Sequence, residues 1–276
     1  MDKKTIVITG SSDGIGYAAA KKLKEKGHDV IIVGRHAKKT ERVAAELGAP
    51  YHIADYSRLS DVVRLAGELN KYERIDVLCN NAGGVQKERR LTEDGFERTF
   101  QINVLAPYLL TRLLIDKLSA CGATVIQTAS IAANLFSDFD PEDLSSEKKY
   151  KSFTAYGNAK LENILFTRAL CARYPELNPV AFEPGVVRSN FGSEGGAFVR
   201  FCYHSPLKFL FTVSPAKSAR RLVYLAEGKA GVDFARGNTY SYKKPYNVKF
   251  KDEDGSAAQK LWDECEKRVS KYLKEL

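Results

Sequence analysis

The chain has 276 residues, 44% of them hydrophobic and 28% charged, enough for a sizeable core within one α/β domain. Its five cysteines (Cys79, Cys121, Cys171, Cys202 and Cys265) are scattered, odd in number and without a Cys-x-x-Cys spacing, so no metal site is expected and reduced packing thiols are. The formal charge of +9, from 43 Lys and Arg against 34 Asp and Glu, is spread over helix faces such as Lys21, Lys22, Lys24 and Lys26 and over the tail, without interleaved aromatics, which argues against a nucleic-acid partner.

Met1-Asp2-Lys3-Lys4 runs straight into a strand pattern with no cleavage-bounded apolar segment, and no apolar run is long enough to span a bilayer. A cytoplasmic protein without a transmembrane segment is the expectation. Thr5-Ile6-Val7-Ile8-Thr9 is a β-branched run that meets a turn carrying Gly10, Ser12, Gly14, Ile15 and Gly16, and a helical pattern follows from Tyr17. Glycines there let the backbone bend and a phosphate approach, while the free N–H groups and positive dipole end of the next helix favour an anion. Read alone, the turn is either a dinucleotide cradle or an ordinary glycine-rich βα loop.

Further along, residues 29–34 read as a strand buried on both faces, 40–47 as helix, 51–54 as a short strand ending at Asp55, and 60–71 as helix. A fourth strand falls at 75–79, helix at 94–100 and again at 104–118, and a fifth strand at 123–128. The polar stretch 133–152 has no strong period and reads as a surface excursion. A long helix covers 153–174, a sixth strand 179–182, a Pro184-Gly185 loop follows, and 191–213 is rich in aromatics. Ser214 and Pro215 open a helix to about 226, with a last strand at 238–242 and a closing helix at 257–272. The alternation predicts one Rossmann-type, doubly wound parallel sheet of about seven strands with helices on both faces, spanning residues 1–276, with a C-terminal extension near 243–276.

Tyr156-Gly157-Asn158-Ala159-Lys160 belongs with several other motifs: the Thr9-to-Gly16 turn, Asn80-Asn81-Ala82-Gly83, Asn103, Ser130, and Pro184-Gly185-Val186-Val187-Arg188-Ser189. In this order they resemble the short-chain dehydrogenase/reductases over almost the whole chain. The long Ser130-to-Tyr156 interval, Asn158-Ala159-Lys160-Leu161-Glu162-Asn163-Ile164-Leu165-Phe166-Thr167 and Lys260-Leu261-Trp262 are similar to the retinol-dehydrogenase-like branch.

Tyr156 and Lys160 stand four apart and share one helix face. A free phenol ionises near pH ~10, and a cation held close lowers that value, so Tyr156 can exchange a proton with a carbonyl or alcohol oxygen. In isolation the same pair could be an aromatic stem beside a snorkelling lysine. The resemblance implies that Lys160 also binds the nicotinamide ribose, that Ser130 hydrogen-bonds the substrate oxygen, and that Asn103 holds the helix backbone and a relay water. It further implies that Asn81, Ala82 and Gly83 lie against the adenine ribose, that Asp55 faces the adenine amino group with Tyr56 beside it, though either could merely cap the next helix, and that Pro184, Gly185, Val187 and Ser189 pin the carboxamide. Gly34-Arg35, with His36, Lys38 and Lys39 after it, offers positive charge to a 2′-phosphate, so NADP is expected rather than NAD; Arg35 could also be a solvated loop residue.

Two positions depart from the family: Ser189 replaces the usual threonine, and Glu183 stands where the branch commonly has histidine. The resemblance implies a substrate lid at 190–213, where an apolar segment with Gly192, Gly195 and Gly196 as candidate hinges could equally be a core-packed helix pair; with Arg200 and Lys208 it could also rest on a membrane surface. The expected activity is NADP(H)-dependent interconversion of a carbonyl and an alcohol on a small, lipophilic molecule, with Tyr156 as general acid/base. The alternative is an NADP(H)-binding regulatory protein without turnover. The resemblance implies a homodimer surface on the 153–174 helix, yet its small residues Gly157 and Ala159 fit this chain's own sheet equally well, so monomer and dimer both stand.

Overall fold

The computed structural model describes residues 2–185, 187 and 213–274. The opening apolar run forms β1 (Thr5–Thr9), whose Ile6, Val7 and Ile8 are fully buried because helices cover both faces of the sheet. After it come α1 (Gly14–Glu25), β2 (Asp29–Gly34), α2 (Ala37–Leu47), β3 (Tyr51–Ile53) and α3 (Leu59–Asn70). α2 starts three residues earlier than the periodicity predicts, and its cap, His36, makes no side-chain capping bond.

The second half opens with β4 (Val77–Asn80), followed by α4 (Arg98–Phe100), a π-helical turn (Gln101–Leu105), α5 (Ala106–Leu113) and α6 (Ile115–Ala120). The sequence breaks the helical period between 100 and 104, and that break is the π turn. β5 (Thr124–Thr128) leads to α7 (Ala132–Leu135) and the long α8 (Ser152–Arg173). The 133–152 stretch is thus more than a surface excursion: it contributes most of α7, and Leu144, Ser145 and Ser146 are buried.

β6 (Asn178–Phe182), α9 (Pro215–Glu227), β7 (Thr239–Ser241), β8 (Lys244–Pro245) and α10 (Ser256–Val269) complete the described chain, with a 3-10 turn at Tyr272–Lys274. As predicted, Ser214 caps α9, its hydroxyl accepting the Lys217 N–H at 3.2 Å, with Pro215 in the first turn.

The eight strands take the order β3-β2-β1-β4-β5-β6-β7-β8. Every pairing is parallel except β7 with the two-residue β8, which adds one edge strand to the expected seven. The chain reverses its winding between β1 and β4, and in open α/β sheets the ligand crevice lies beyond the C-terminal ends of the strands at such a point. One core joins the sheet to α3, α5, α8 and α10; the other joins it to α1 and α9. α8 is buried without interruption from Ala155 to Thr167. A Cβ on its Gly157 would lie 2.7 Å from the Ser137 nitrogen and 2.9 Å from the Ala132 carbonyl oxygen, so this small residue is required by α7 of the same chain.

Candidate active site

The glycine turn is built by close backbone contact between the ends of β1 and β4. Gly10 takes φ +66° and Gly14 φ +57°, both left-handed, and a Cβ on Gly10 would sit 2.9 Å from the Ala82 Cα. A Cβ on Gly16 would sit 2.7 Å from Asn81 Nδ2 and run into the Gly10 carbonyl. Asn81 locks this contact, since its Nδ2 donates to the Thr9 carbonyl at 2.9 Å, and the Asn81 and Ala82 N–H groups both donate to Thr9 Oγ1 at 3.0 Å. Ser11, which sequence reasoning passes over, ties the turn to β2: its N–H donates to the Val33 carbonyl at 3.0 Å, and its hydroxyl accepts the Val33 N–H at 3.0 Å.

At the end of β2, a Cβ on Gly34 would come within 2.9 Å of Ser12 Oγ, so Ser12 lies beside the base of Arg35. Arg35 is exposed and forms no ion pair among the described residues. Lys39 is occupied, its ammonium 2.5 Å from the Asp13 carboxylate, which also caps α1 by accepting the Gly14 N–H at 2.7 Å. Arg35 and the exposed Lys38 are therefore the cations left to meet an anion there. Asp55 folds an Asx turn, accepting the Ser57 N–H at 2.9 Å and its hydroxyl at 2.8 Å. Burial opposes its charge, but those two donors and Arg35 hold the carboxyl below its usual value. Tyr56 is only 5% exposed, with its ring in the core among α3 and the sheet, so its side chain is not at the crevice surface.

The second group of predicted residues converges at the C-terminal ends of β4 and β5. Asn103 lies within the π turn, where its Nδ2 donates to the carbonyls of Gly84 and Thr99, both at 2.8 Å, and its Oδ1 accepts the Gly84 N–H at 3.2 Å. A widened turn that releases a backbone carbonyl to a side chain is a recurrent device at functional sites. Gly83 is flanked by this amide and by Lys160: a Cβ there would lie 2.6 Å from Asn103 Oδ1 and 3.2 Å from Lys160 Nζ.

Lys160 is 3% exposed, and its ammonium donates to the Thr128 carbonyl at 2.9 Å. That nitrogen stands 5.5 Å from the ring centroid of Tyr156, a cation–π distance. Burial, with no acid among the described residues beside it, lowers the ammonium to about 7. Tyr156 is 9% exposed and packs with Val85 and Ala132. Ser130 follows β5, and its hydroxyl accepts the Ala132 N–H at 3.2 Å, which leaves its proton free to be donated.

On the far side of the crevice, Gly185 takes φ +82° and its N–H donates to the Glu183 carboxylate. Glu183 is 5% exposed and paired with Arg221 at 2.8 Å, while the Ser218 hydroxyl donates to the Pro184 carbonyl at 2.7 Å. The departure at Glu183 is thus a neutralised internal strut for the Pro184-Gly185 turn. Val187 is 7% exposed and bridges to Val213. Ser189 and the lid expected at 190–213, apart from Val213, lie outside the described residues, as does Cys202. Cys79, Cys121, Cys171 and Cys265 are free thiols, and no cluster of metal-ligating side chains occurs among the described residues.

A family model described as short chain dehydrogenase matches residues 4–197, most of the chain. The chain belongs to the short-chain dehydrogenases. Among its relatives, a Streptomyces sp. (strain C5) protein assigned as the daunorubicin C-13 ketoreductase DnrU is 36% identical over 268 residues, covering 94% of this chain and 90% of the relative. Human retinol dehydrogenase 13 is 31% identical over 280 residues, covering 96% and 84%. The crystal structure of a 3-ketoacyl-(acyl-carrier-protein) reductase from Brucella melitensis complexed with NADH superposes with a TM-score of 0.68 at 25% identity, covering 86% of this chain and 96% of the other.

This short-chain dehydrogenase is an oxidoreductase acting on CH–OH and carbonyl groups with a nicotinamide cofactor, similar to the retinol-dehydrogenase-like branch. The residues fit such a cofactor. Neither Gly10 nor Gly16 has room for a Cβ, which keeps the backbone of the cradle bare, and Lys160 Nζ has three donors but one hydrogen-bond acceptor among the described residues. No helix among those residues is long and apolar enough to cross a membrane.

Proposed function

We propose that this chain is an NADP(H)-dependent reductase of lipophilic aldehydes or ketones, working equally in the reverse direction on the alcohols, with Tyr156 moving the proton. When bound, the reduced nicotinamide supplies the hydride. The Ser130 O–H donates to the substrate oxygen as negative charge grows there. The Tyr156 hydroxyl delivers the proton to the same oxygen, and the Lys160 ammonium beside it stabilises the phenolate left behind. Lys160's remaining N–H groups hold ribose hydroxyls, while Asn103 fixes the Gly83-Gly84 backbone that walls the lysine in.

The observation that carries this reading is Lys160 itself. A chain that buries an ammonium to 3% exposure, with no carboxylate of the described residues in reach, loses stability for it. Structural lysines are not kept that way. The cost is accounted for if the charge is needed beside Tyr156.

NADP is favoured by Arg35, exposed and without an ion pair among the described residues at the end of β2. A lipophilic substrate is favoured by the rim next to Ser130. There Ile131, Leu135 and Phe136 are exposed, and the Phe136 and Phe153 rings stand 5.4 Å apart. The test is NADPH oxidation followed at its absorbance band against a panel of aldehydes and ketones, for wild type and Tyr156→Phe. Loss of about 10²-fold or more in kcat in the variant, with NADPH affinity retained, is expected. Equal turnover by the two proteins would overturn the reading.

A further inference from the structure

Below Lys160, toward the middle of the sheet, lies a group of buried amides that the reaction does not use. Asn80 and Gln127 are register partners on β4 and β5, so their side chains point to the same face. That face is the α5 and α8 side, because Asn80 Nδ2 donates to Thr111 Oγ1 on α5 at 3.0 Å. Asn163, one helical turn after Lys160, reaches the same place from α8, its Nδ2 3.4 Å from the Thr128 carbonyl oxygen that also accepts Lys160. All three are almost fully buried: Asn80 3%, Gln127 1%, Asn163 2%. Yet Asn80 Oδ1, Asn163 Oδ1 and both polar atoms of Gln127 have no hydrogen-bond partner among the described residues.

Four unmet donors and acceptors in one strip would each forfeit about 1–3 kcal/mol if left dry, a large share of a domain's net stability. Buried polar groups in that situation bind internal water, typically with about three hydrogen bonds to each molecule. We propose that Asn80, Gln127 and Asn163 hold ordered water in the sheet–helix interior directly beneath Lys160, and that Gln127 is thereby a positioning residue for the ammonium. The water supplies the dipoles that let a cation with one protein acceptor remain charged, and it braces the Thr128 carbonyl through Asn163. This rests on the reading of Lys160 as the partner of Tyr156.

No charged side chain of the described residues acts on Lys160; the groups facing it are the Thr128 carbonyl, Asn103, Gly83 and the Tyr156 ring. A change in its titration therefore reports on solvation. The near-isosteric Gln127→Met removes the amide while keeping volume, and Gln127→Asn retains an amide. In a ¹³Cε-lysine NMR titration of the cofactor-free protein, with the Lys160 signal assigned by its loss in Lys160→Met, the methionine variant should titrate lower by about half a pH unit or more. The asparagine variant should return toward wild type. Turnover should follow, with kcat near wild type at about pH 6, depressed about 3-fold or more near pH 8, and KM unchanged.

A crystal structure at about 1.5 Å resolution or better should show water within hydrogen-bond distance of the Gln127 and Asn163 amides. A dry strip, or superimposable titrations of wild type and Gln127→Met, would sink the proposal even if Gln127→Met alters stability. Tyr156→Phe measured alongside separates the two readings. An inactive Tyr156→Phe beside an unaltered Gln127→Met rejects the water site alone, whereas an active Tyr156→Phe rejects the assignment on which both rest.

Discussion

The Arg221 guanidinium meets the Glu183 carboxylate at 2.8 Å and the Glu183 carbonyl at 2.5 Å, so one α9 side chain grips both ends of the residue that starts the Pro184-Gly185 turn. The other oxygen of that carboxylate accepts the Gly185 N–H, and Ser241 adds a hydroxyl at 3.2 Å to the first. A buried pair that shapes a turn is costly to halve. Arg221→Met should destabilise by about 3–5 kcal/mol in urea unfolding, because it strands a carboxylate at 5% exposure. Glu183→Leu/Arg221→Met should recover most of that loss yet still bind NADPH more weakly than wild type, since the Gly185 N–H loses its acceptor. A double variant as unstable as Arg221→Met would show that the pair acts through something other than stranded charge.

Glu183 also marks where sequence reading ran short. The β1 run, the glycine turn, the Tyr156-to-Lys160 spacing and the α9 cap were legible, because each is a local pattern with a local cause: strand burial, positive φ, helical period, an orphan N–H. What the carboxylate at Glu183 meets was not legible, because its partner lies 38 residues away on another element. The same holds for the hydrogen bond from Asn81 to the Thr9 carbonyl and for the Tyr56 ring, which turns into the core. Burial along α8 was also hidden: its period is weak because sheet, α7 and α10 cover it from several sides.

Arg35 should decide between the two nicotinamide dinucleotides. Its removal as Arg35→Gln should weaken NADPH binding about 10- to 100-fold and leave NADH nearly unchanged, by fluorescence titration at fixed salt. Lys39→Gln should do less, since Lys39 is already committed to Asp13 at 2.5 Å. Equal losses for NADPH and NADH in Arg35→Gln would show that the guanidinium does not meet a 2′-phosphate.

Lys160 has a stability signature of its own. Its folded value is lowered to about 7, whereas the unfolded lysine keeps the ordinary value of 10.5. Between those limits the unfolded chain binds the additional proton, so stability rises with pH across that window. Lys160→Met lacks the effect. In cofactor-free protein its stability advantage over wild type should be greatest near pH 6 and shrink toward pH 10 by a figure on the order of 4 kcal/mol. A difference that stays flat across the window would mean that Lys160 is solvated far better than its burial implies.

Glu162 presents the opposite sign. It is 1% exposed under α10, neither carboxylate oxygen has a hydrogen-bond partner among the described residues, and burial, reinforced by Glu97 and only partly offset by Arg268, pushes its carboxyl well up. The native chain therefore keeps a proton that the unfolded chain releases from about pH 4.3 upward. Stability falls with rising pH through that window and levels off above the raised native value. Glu162→Leu, close in volume and apolar, removes both the unmet oxygens and the proton linkage. It should stabilise by about 1–3 kcal/mol near pH 8, with a smaller gain at about pH 5, in urea unfolding followed by circular dichroism. Because Glu162 points toward α10 rather than toward Tyr156, turnover should be unaffected. If the leucine variant were less stable than wild type near pH 8, the carboxyl would have to be solvated or paired in a way that its surroundings do not provide.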